Sequence, residues 1–240
     1  MHADRPELSN DLRALVLWDI DGTLVDSAPF GRDAFVEAFE RVVGRPPDEI
    51  VPFAGRTDLE IAADMLDRSG VEWGDGLLEL FQAALEESMA ARGPQLRRHG
   101  RAYPGARRAL ERLAREPGVV QGLLTGNVPA NARVKLGAFG LDDLIDFEIG
   151  GYGSDHNRRA ELVAVACGRA QRKLGVAVAP ARAVLVGDTP LDVAAAREGG
   201  ARAVGVATGP FGADELWDAG ADAVLGDLTD PRAVATAVLG

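Results

Sequence analysis

Acidic and hydroxyl side chains follow three short apolar segments of this sequence, at the point where each segment ends. Asp19 and Asp21 follow the first segment, Thr125 ends the second, and Asp188 follows the third. Residues two apart in an extended chain project to the same side, so Asp19 and Asp21 can share one site. Three converging carboxylates repel each other unless a cation neutralises them. A few carboxylates combined with substrate oxygens are the ligands that Mg²⁺ prefers, so the pattern predicts a magnesium site.

The same segments also offer donors for an anion. Gly22 has no side chain and lets backbone amides approach a ligand closely. These amides and the Thr125 hydroxyl are suited to donate hydrogen bonds to phosphate oxygens. The chemistry that the residues predict is therefore metal-assisted chemistry at a phosphate group.

The elements that carry these residues have the pattern of an α/β protein. Five short apolar runs are typical of strands buried on both faces: Ala14–Trp18, Val119–Leu124, Arg182–Val186, Ala203–Ala207 and Ala223–Leu225. Helical patterns separate them, which predicts a doubly wound, Rossmann-like parallel sheet. In such sheets ligands bind outside the carboxyl ends of the strands, so the three polar clusters should meet in one crevice.

Residues 28 to 100 interrupt this pattern. Their apolar positions have helical spacing and no segment is typical of a strand. Thr57 and Glu60 have the spacing of a helix-capping pair. We therefore predict a core formed by residues 1–27 and 101–240, with an α-helical domain inserted at residues 28–100.

Composition excludes several classes of function. The 240 residues include 26 Lys and Arg against 37 Asp and Glu, a net charge of −11. This charge disfavours binding to nucleic-acid polymers and anionic membranes. The single Cys167 cannot form an internal disulfide. The polar N-terminus is unlike a signal peptide, and no apolar run approaches the about 20 residues needed to cross a bilayer. We expect a cytoplasmic protein that makes no membrane contact.

Three sequence motifs resemble those of the haloacid dehalogenase superfamily, over about residues 14–226. The motifs are Asp19-Ile20-Asp21-Gly22-Thr23, Leu124-Thr125-Gly126-Asn127 and Gly187-Asp188-Thr189-Pro190-Leu191-Asp192. Two further stretches resemble the phosphoglycolate-phosphatase-like branch, in which the inserted helices form a type 1 cap: Asp26-Ser27 and Gly55-Arg56-Thr57-Asp58. The resemblance therefore identifies residues 28–100 as a cap domain.

The resemblance implies a role for each acidic residue. Asp19 would attack phosphorus and form an aspartyl-phosphate. Asp21 would protonate the leaving alcohol and then deprotonate the attacking water. Mg²⁺ would be bound by the Asp19 carboxylate, the Asp21 main-chain carbonyl and Asp188, with Asp192 as a further ligand or an orienting group. Thr125 would bind the transferring phosphoryl group.

The resemblance also implies substrate contacts and exposes one departure. The expected substrate-binding residues are Gly22, Thr23, Gly126, Asn127, Arg56 and Arg158. The family commonly has Lys-Pro-x-Pro before the helix that leads to the last motif, and this sequence does not. Lys135 could supply the missing cation, because it lies ~9 Å along the helix that follows Thr125 and its side chain leans back toward that residue. Arg158 or Arg159 is the alternative.

These implications point to a Mg²⁺-dependent phosphatase that acts on a small phosphorylated metabolite, such as phosphoglycolate. A sugar phosphomutase of the same fold, a haloacid dehalogenase and a non-catalytic binding protein are the alternatives. Asp21 disfavours a dehalogenase, because cleavage of a carbon–halogen bond does not require the second aspartate. The sequence leaves open whether the protein is a monomer or a homodimer.

Overall fold

The computed structural model describes residues 12–240. The assignment of residues 1–11 to the core, and the absence of a signal segment there, concern residues outside this range. The described strands are β1 (Ala14–Trp18), β2 (Val25–Asp26), β3 (Arg101–Ala102), β4 (Val119–Thr125), β5 (Gly151–Tyr152), β6 (Ala183–Gly187), β7 (Arg202–Val206) and β8 (Ala223–Leu225). The described α-helices are α1 (Ala28–Val43), α2 (Asp58–Arg68), α3 (Asp75–His99), α4 (Ala106–Ala114), α5 (Pro129–Gly137), α6 (Glu161–Leu174), α7 (Pro190–Glu198), α8 (Ala213–Asp218) and α9 (Pro231–Leu239).

Six of the strands form one parallel sheet in the order β5-β4-β1-β6-β7-β8. The prediction of a doubly wound parallel sheet is confirmed, and each of the five predicted strands ends within one residue of its observed limits. The sequence analysis missed β5 and the antiparallel pair β2–β3, which have only two residues each. Such short strands are set by their neighbours, since two residues carry no periodic signal.

Helices cover both faces of the sheet, and the side chains of β1 show how the two layers form. Leu15 and Leu17 pack against α6 and α7, whereas Val16 and Trp18 pack toward α4 and α9. All four side chains are fully buried. A strand that is apolar on both faces belongs at the centre of a parallel sheet, which is where β1 lies.

Helices α1, α2 and α3 form a helical insert (residues 28–99) with its own apolar core. Phe35 contacts the rings of Phe53 and Phe81 at centroid distances of 5.0 and 5.9 Å. The hydroxyl of Thr57 accepts a hydrogen bond from the Glu60 amide and so begins α2, as its spacing predicts. The short β2–β3 pair joins the two ends of the insert to the core.

The longest described helix, α3, has 25 residues, and charged residues occur along its length. Among residues 12–240, no helix is both long enough and apolar enough to cross a lipid bilayer.

Candidate functional site

The carboxyl ends of β1, β4 and β6 meet in one crevice. Asp19 follows β1 directly, and its amide donates to the Val186 carbonyl of β6 at 2.9 Å. Thr125 is the last residue of β4, and Asp188 is the first residue after β6. The chain passes from one side of β1 to the other between β5 and β6, so this crevice is the switch point of the sheet. Ligands bind at this position in open α/β sheets.

Three buried carboxylates lie close together in the crevice: oxygen atoms of Asp19, Asp188 and Asp192 are within 4.8 Å of one another. Burial raises the pKa of Asp19 to about 7, although the Arg159 charge opposes the rise. Burial and the charges of Asp192 and Asp19 raise the pKa of Asp188 to about 9. Such shifts mark a site where negative charge lacks compensation.

The carboxylate cluster fits a hard divalent cation. When all three carboxylates are ionised, the Arg159 guanidinium balances one charge and two negative charges remain. Asp192 Oδ1 contacts this guanidinium as an ion pair, yet it accepts no hydrogen bond from the described residues. Carboxylate oxygens without hydrogen-bond donors are suited to coordinate Mg²⁺.

The loop after β1 surrounds Asp188. Thr23 Oγ1 donates to Asp188 Oδ1 at 2.9 Å, so this predicted substrate-binding hydroxyl is used within the protein. Gly22 has a φ of +87°, and a Cβ there would lie 2.2 Å from Asp188 Oδ2. Glycine at this position therefore allows both the turn and the close approach of the Asp188 carboxylate.

The side chain of Asp21 points away from the carboxylate cluster. Its Oδ2 accepts from Asn127 Nδ2 at 2.8 Å and from Lys135 Nζ at 2.6 Å, and Ser27 donates to Oδ1. Burial acts to raise the pKa of Asp21, but the Lys135 charge and these hydrogen bonds hold it below its usual range. The carboxylate of Asp21 is thus outside the group of three whose oxygen atoms lie within 4.8 Å of one another.

Two cations approach two different aspartates. Lys135 is buried on α5, and its Nζ also contacts Asn127 Oδ1 at 2.6 Å. Arg159, in the loop before α6, donates from Nη2 to Asp19 Oδ1 at 2.8 Å and forms an ion pair with Asp192. Its Nη1 donates to the Gly55 carbonyl of the helical insert at 3.2 Å. The alternatives of the sequence analysis are therefore both present, with different partners.

Arg158 and Arg56 have their guanidinium groups elsewhere. Arg158 is exposed and forms ion pairs with Glu161 and Glu198 on the core surface. Arg56 donates to Glu60 and Asp64 at 2.9 Å and to the Pro52 carbonyl at 3.1 Å, all within the helical insert. Substrate contact by either guanidinium would require it to leave these partners.

The last residue of β4 and the segment that follows it are tightly enclosed. Thr125 is fully buried, and its Oγ1 accepts from Asn127 Nδ2 at 2.9 Å. A Cβ at Gly126 would lie 2.0 Å from the Arg56 carbonyl oxygen, so Gly126 packs directly against the backbone of the insert. The main chain of the insert, and not the Arg56 guanidinium, therefore faces this part of the crevice.

The sequence analysis assigned no role to three residues that border the crevice or pack against it. A Cβ at Gly209 would lie 1.7 Å from Asp188 Oδ2, and the neighbouring Thr208 Oγ1 donates to the Gly22 carbonyl at 2.6 Å. Their place in the sequence could have indicated this, because Thr208 and Gly209 lie just after the carboxyl end of strand β7. Asp58, at the start of α2, is buried against the segment after β4. Asp58 is part of the Gly55-Arg56-Thr57-Asp58 stretch that carries the family resemblance, but the sequence analysis assigned it no role.

Comparison with known proteins shows which family the chain is similar to. A protein-family profile described as haloacid dehalogenase-like hydrolase matches residues 14–200, which include all three motifs. The phosphoglycolate phosphatase of Rhodospirillum rubrum is 30% identical over 218 residues, 89% of this chain and 87% of the relative. The probable phosphatase IndB of Dickeya dadantii is 27% identical over 239 residues, 95% of this chain and 96% of the relative.

The fold has matching solved structures. The crystal structure of a hydrolase from Pseudomonas syringae superposes with a TM-score of 0.66 at 24% identity. The match covers 92% of this chain and 96% of the other. At this identity the likeness concerns the fold.

Proposed function

This chain belongs to the haloacid dehalogenase-like hydrolases, and we propose that it is a Mg²⁺-dependent phosphatase of a small phosphorylated metabolite. One observation carries the proposal: Asp19, Asp188 and Asp192 are buried together at the ends of the central strands. Thr125 and Asp21 border the same crevice. The helical insert would act as a cap over this crevice, and we call it the cap from here on.

Asp19 is the proposed nucleophile. Its carboxylate would form a bond to phosphorus as the bond from phosphorus to the leaving alcohol breaks. Arg159 donates to Oδ1 of this carboxylate and favours its ionised form. The hydrogen bond also orients the carboxylate, which matters because in-line transfer depends on the position of the attacking oxygen.

Asp21 is the proposed acid and base. It would donate a proton to the leaving oxygen and later accept one from the water that hydrolyses the aspartyl-phosphate. Hydrogen bonds from Lys135, Asn127 and Ser27 fix the orientation of its carboxylate. The two aspartates, two residues apart, thus have different partners: Arg159 contacts Asp19, whereas Lys135, Asn127 and Ser27 contact Asp21.

Mg²⁺ would be held by the carboxylates of Asp19, Asp188 and Asp192 and by the Asp21 main-chain carbonyl, and would supply positive charge to the phosphoryl oxygens. The Thr125 hydroxyl and the amides after Asp19 would bind the remaining phosphoryl oxygens. We propose 2-phosphoglycolate as the first substrate to test, because a relative with similar length carries that activity in its name.

The test is phosphate release from a panel of phosphomonoesters in Mg²⁺ and in EDTA, with Asp19→Asn as the blank. Release that requires Mg²⁺ and is absent in the mutant would support the proposal, and the ranking of substrates would give the preference of the cap. Isomerised sugar phosphate without phosphate release would favour a mutase. Absence of turnover together with absence of Mg²⁺ binding would favour a non-catalytic protein.

A further inference from the structure

Asp58 joins the cap to the core through hydrogen bonds in both directions. Its amide donates to the Gly126 carbonyl at 2.8 Å, and its Oδ2 accepts from the Val128 amide at 3.0 Å. Asn131 Nδ2 approaches the same oxygen at 3.4 Å. Asp58 is 6% exposed although it lies at a boundary between two units, so these contacts replace water. We call the two main-chain contacts, with Gly126 and Val128, the Asp58 docking contact.

The backbones on the two sides of the Asp58 docking contact are too close for side chains. A Cβ at Gly126 would lie 2.0 Å from the Arg56 carbonyl oxygen of the cap, and one at Gly153 would lie 3.1 Å from Thr57 Cβ of the cap and 1.9 Å from the Gly126 carbonyl oxygen of the core. Two glycines therefore make room for the cap loop (residues 52–57) to lie directly on the second motif. This close approach is a specific fit between the cap and the core.

Two helix dipoles and a nearby cation partly offset the cost of burying the Asp58 carboxylate. Asp58 is the first residue of α2, and Val128 precedes α5, so the positive ends of two helix dipoles lie beside the same carboxylate. The Lys135 charge acts on Asp58 from α5, and the Asp21 carboxylate opposes it. The same Lys135 ammonium binds Asp21. The carboxylate of the cap is therefore coupled electrostatically to the proposed acid and base.

We propose that Asp58 is a positioning residue that holds the cap closed over the crevice by binding the main chain of Gly126 and Val128. The proposal rests on the proposed role of the insert as a cap. The Gly55 carbonyl of the same cap loop accepts a hydrogen bond from Arg159, which also binds Asp19. A closed cap therefore also holds Arg159 beside the proposed nucleophile. Asp58 acts through the loop that follows Thr125, and we assign it no contact with substrate.

The acceptor oxygen is the essential feature, and two substitutions isolate it. Asp58→Ala removes the acceptor, whereas Asp58→Asn keeps an oxygen of similar position without the charge. Burial raises the pKa of Asp58 to about 6, so a neutral side chain is suited to this environment. Asp67→Ala is the matched control, because Asp67 is an exposed aspartate of the same helix that binds Trp73 within the cap.

The measurement is amide hydrogen exchange of Val128 in the full chain without substrate, followed by NMR. We expect exchange at Val128 to accelerate by about tenfold or more in Asp58→Ala, as loss of a hydrogen bond to a charged acceptor predicts. Asp58→Asn should stay within about threefold of the wild type, and Asp67→Ala should leave the rate unchanged. Gly126→Ala, which obstructs the contact from the core side, should reproduce the acceleration if Asp58→Ala does not fold.

Unchanged exchange at Val128 in both Asp58→Ala and Gly126→Ala would overturn the proposal. Equal acceleration in Asp58→Asn and Asp58→Ala would also overturn it, because the acceptor would then not matter. With an active protein, kcat/KM should fall in Asp58→Ala and recover in Asp58→Asn. A wild type that releases no phosphate but shows the exchange pattern would remove the proposed function and leave the docking contact standing.

Discussion

Arg159 donates a 2.8 Å hydrogen bond from Nη2 to Oδ1 of Asp19, and both side chains are more than nine-tenths buried. A buried guanidinium beside a buried carboxylate compensates charge that water cannot reach. Lys135 Nζ lies 2.6 Å from Asp21 Oδ2, and in this pair the lysine is buried whereas the aspartate side chain is 39% exposed. The two aspartates of the first motif thus have separate cationic partners, and each pair can be tested on its own.

Asp19→Asn should abolish phosphate release while the fold survives. Loss of a covalent nucleophile typically lowers kcat by at least about a thousandfold. The amide has the shape of the carboxylate and removes one charge from the crowded cluster, so the melting temperature should not fall. Phosphate release and thermal unfolding of the same preparation give both results. An active Asp19→Asn protein would exclude Asp19 as the nucleophile.

Arg159→Ala should reduce both activity and stability, whereas Arg158→Ala should change neither appreciably. Removing Arg159 leaves buried carboxylates without their partner, which typically costs about 3–5 kcal/mol. Arg158 is exposed, and its surface ion pairs are worth at most about 1 kcal/mol. Urea unfolding and steady-state kinetics of the two variants provide the comparison. Similar losses in both would contradict the assignment of the nucleophile's partner to Arg159.

The sequence could not predict which of the two arginines, Arg158 or Arg159, contacts the aspartates. The helical pattern places Arg158 and Arg159 side by side, and nothing in it distinguishes them. The distinction arises from the loop before α6, which Asp155 holds by accepting two hydrogen bonds from Arg169. That pairing joins residues 14 positions apart across a turn, and residue types alone do not predict it.

The strands, in contrast, could be predicted because their local sequence matches their surroundings in the fold. Strands β1 and β6 are apolar runs buried on both faces, so local composition and tertiary environment agree. Asp19, Asp188 and Thr125 follow from the strands, since parallel order brings their carboxyl ends together. Asp58 and Gly209 do not follow, because their importance lies in contacts that only the packed chain creates.

Lys135→Ala should impair turnover far more than Lys173→Ala. Lys135 is buried between Asp21 and Asn127, and its removal leaves the Asp21 carboxylate without a cation. Lys173 forms surface ion pairs with Asp146 and Glu148, which water can replace. We expect a loss of about a hundredfold or more in kcat for Lys135→Ala, typical of a group that orients an acid–base residue. Equal, small effects in steady-state assays would return the role to an arginine.

Gly209→Ala should weaken Mg²⁺ binding without unfolding the protein. The new methyl group would lie 1.7 Å from Asp188 Oδ2, so the carboxylate must leave the position in which it lies close to Asp19 and Asp192. Gly212→Ala is the control, because a Cβ there lies 3.7 Å from its nearest neighbour, Glu215. Calorimetric titration with Mg²⁺ should show reduced affinity in Gly209→Ala alone. Unchanged affinity would mean that Asp188 is not a ligand.

Asp58 should make the stability of the protein depend on pH between about 4 and 6. Its pKa is raised by burial from 3.8 to about 6, so the folded chain binds this proton more tightly than the unfolded chain. The contribution of Asp58 to stability is therefore fully present below pH 4 and is lost as the pH rises toward 6. A shift of this size corresponds to at most about 3 kcal/mol.

Asp58→Asn should remove this part of the pH dependence, because the amide does not titrate. Urea unfolding at a series of pH values would show a flatter profile between pH 4 and 6 and a more stable protein at neutral pH. Asp64 provides a control of opposite sign, since hydrogen bonds from Arg68 and Arg56 hold its pKa below the usual range. Its contribution is present at neutral pH and lost as the pH falls, so Asp64→Asn should lower stability at neutral pH. Parallel profiles for wild type and Asp58→Asn would show that Asp58 is not buried as a carboxyl group at the cap boundary.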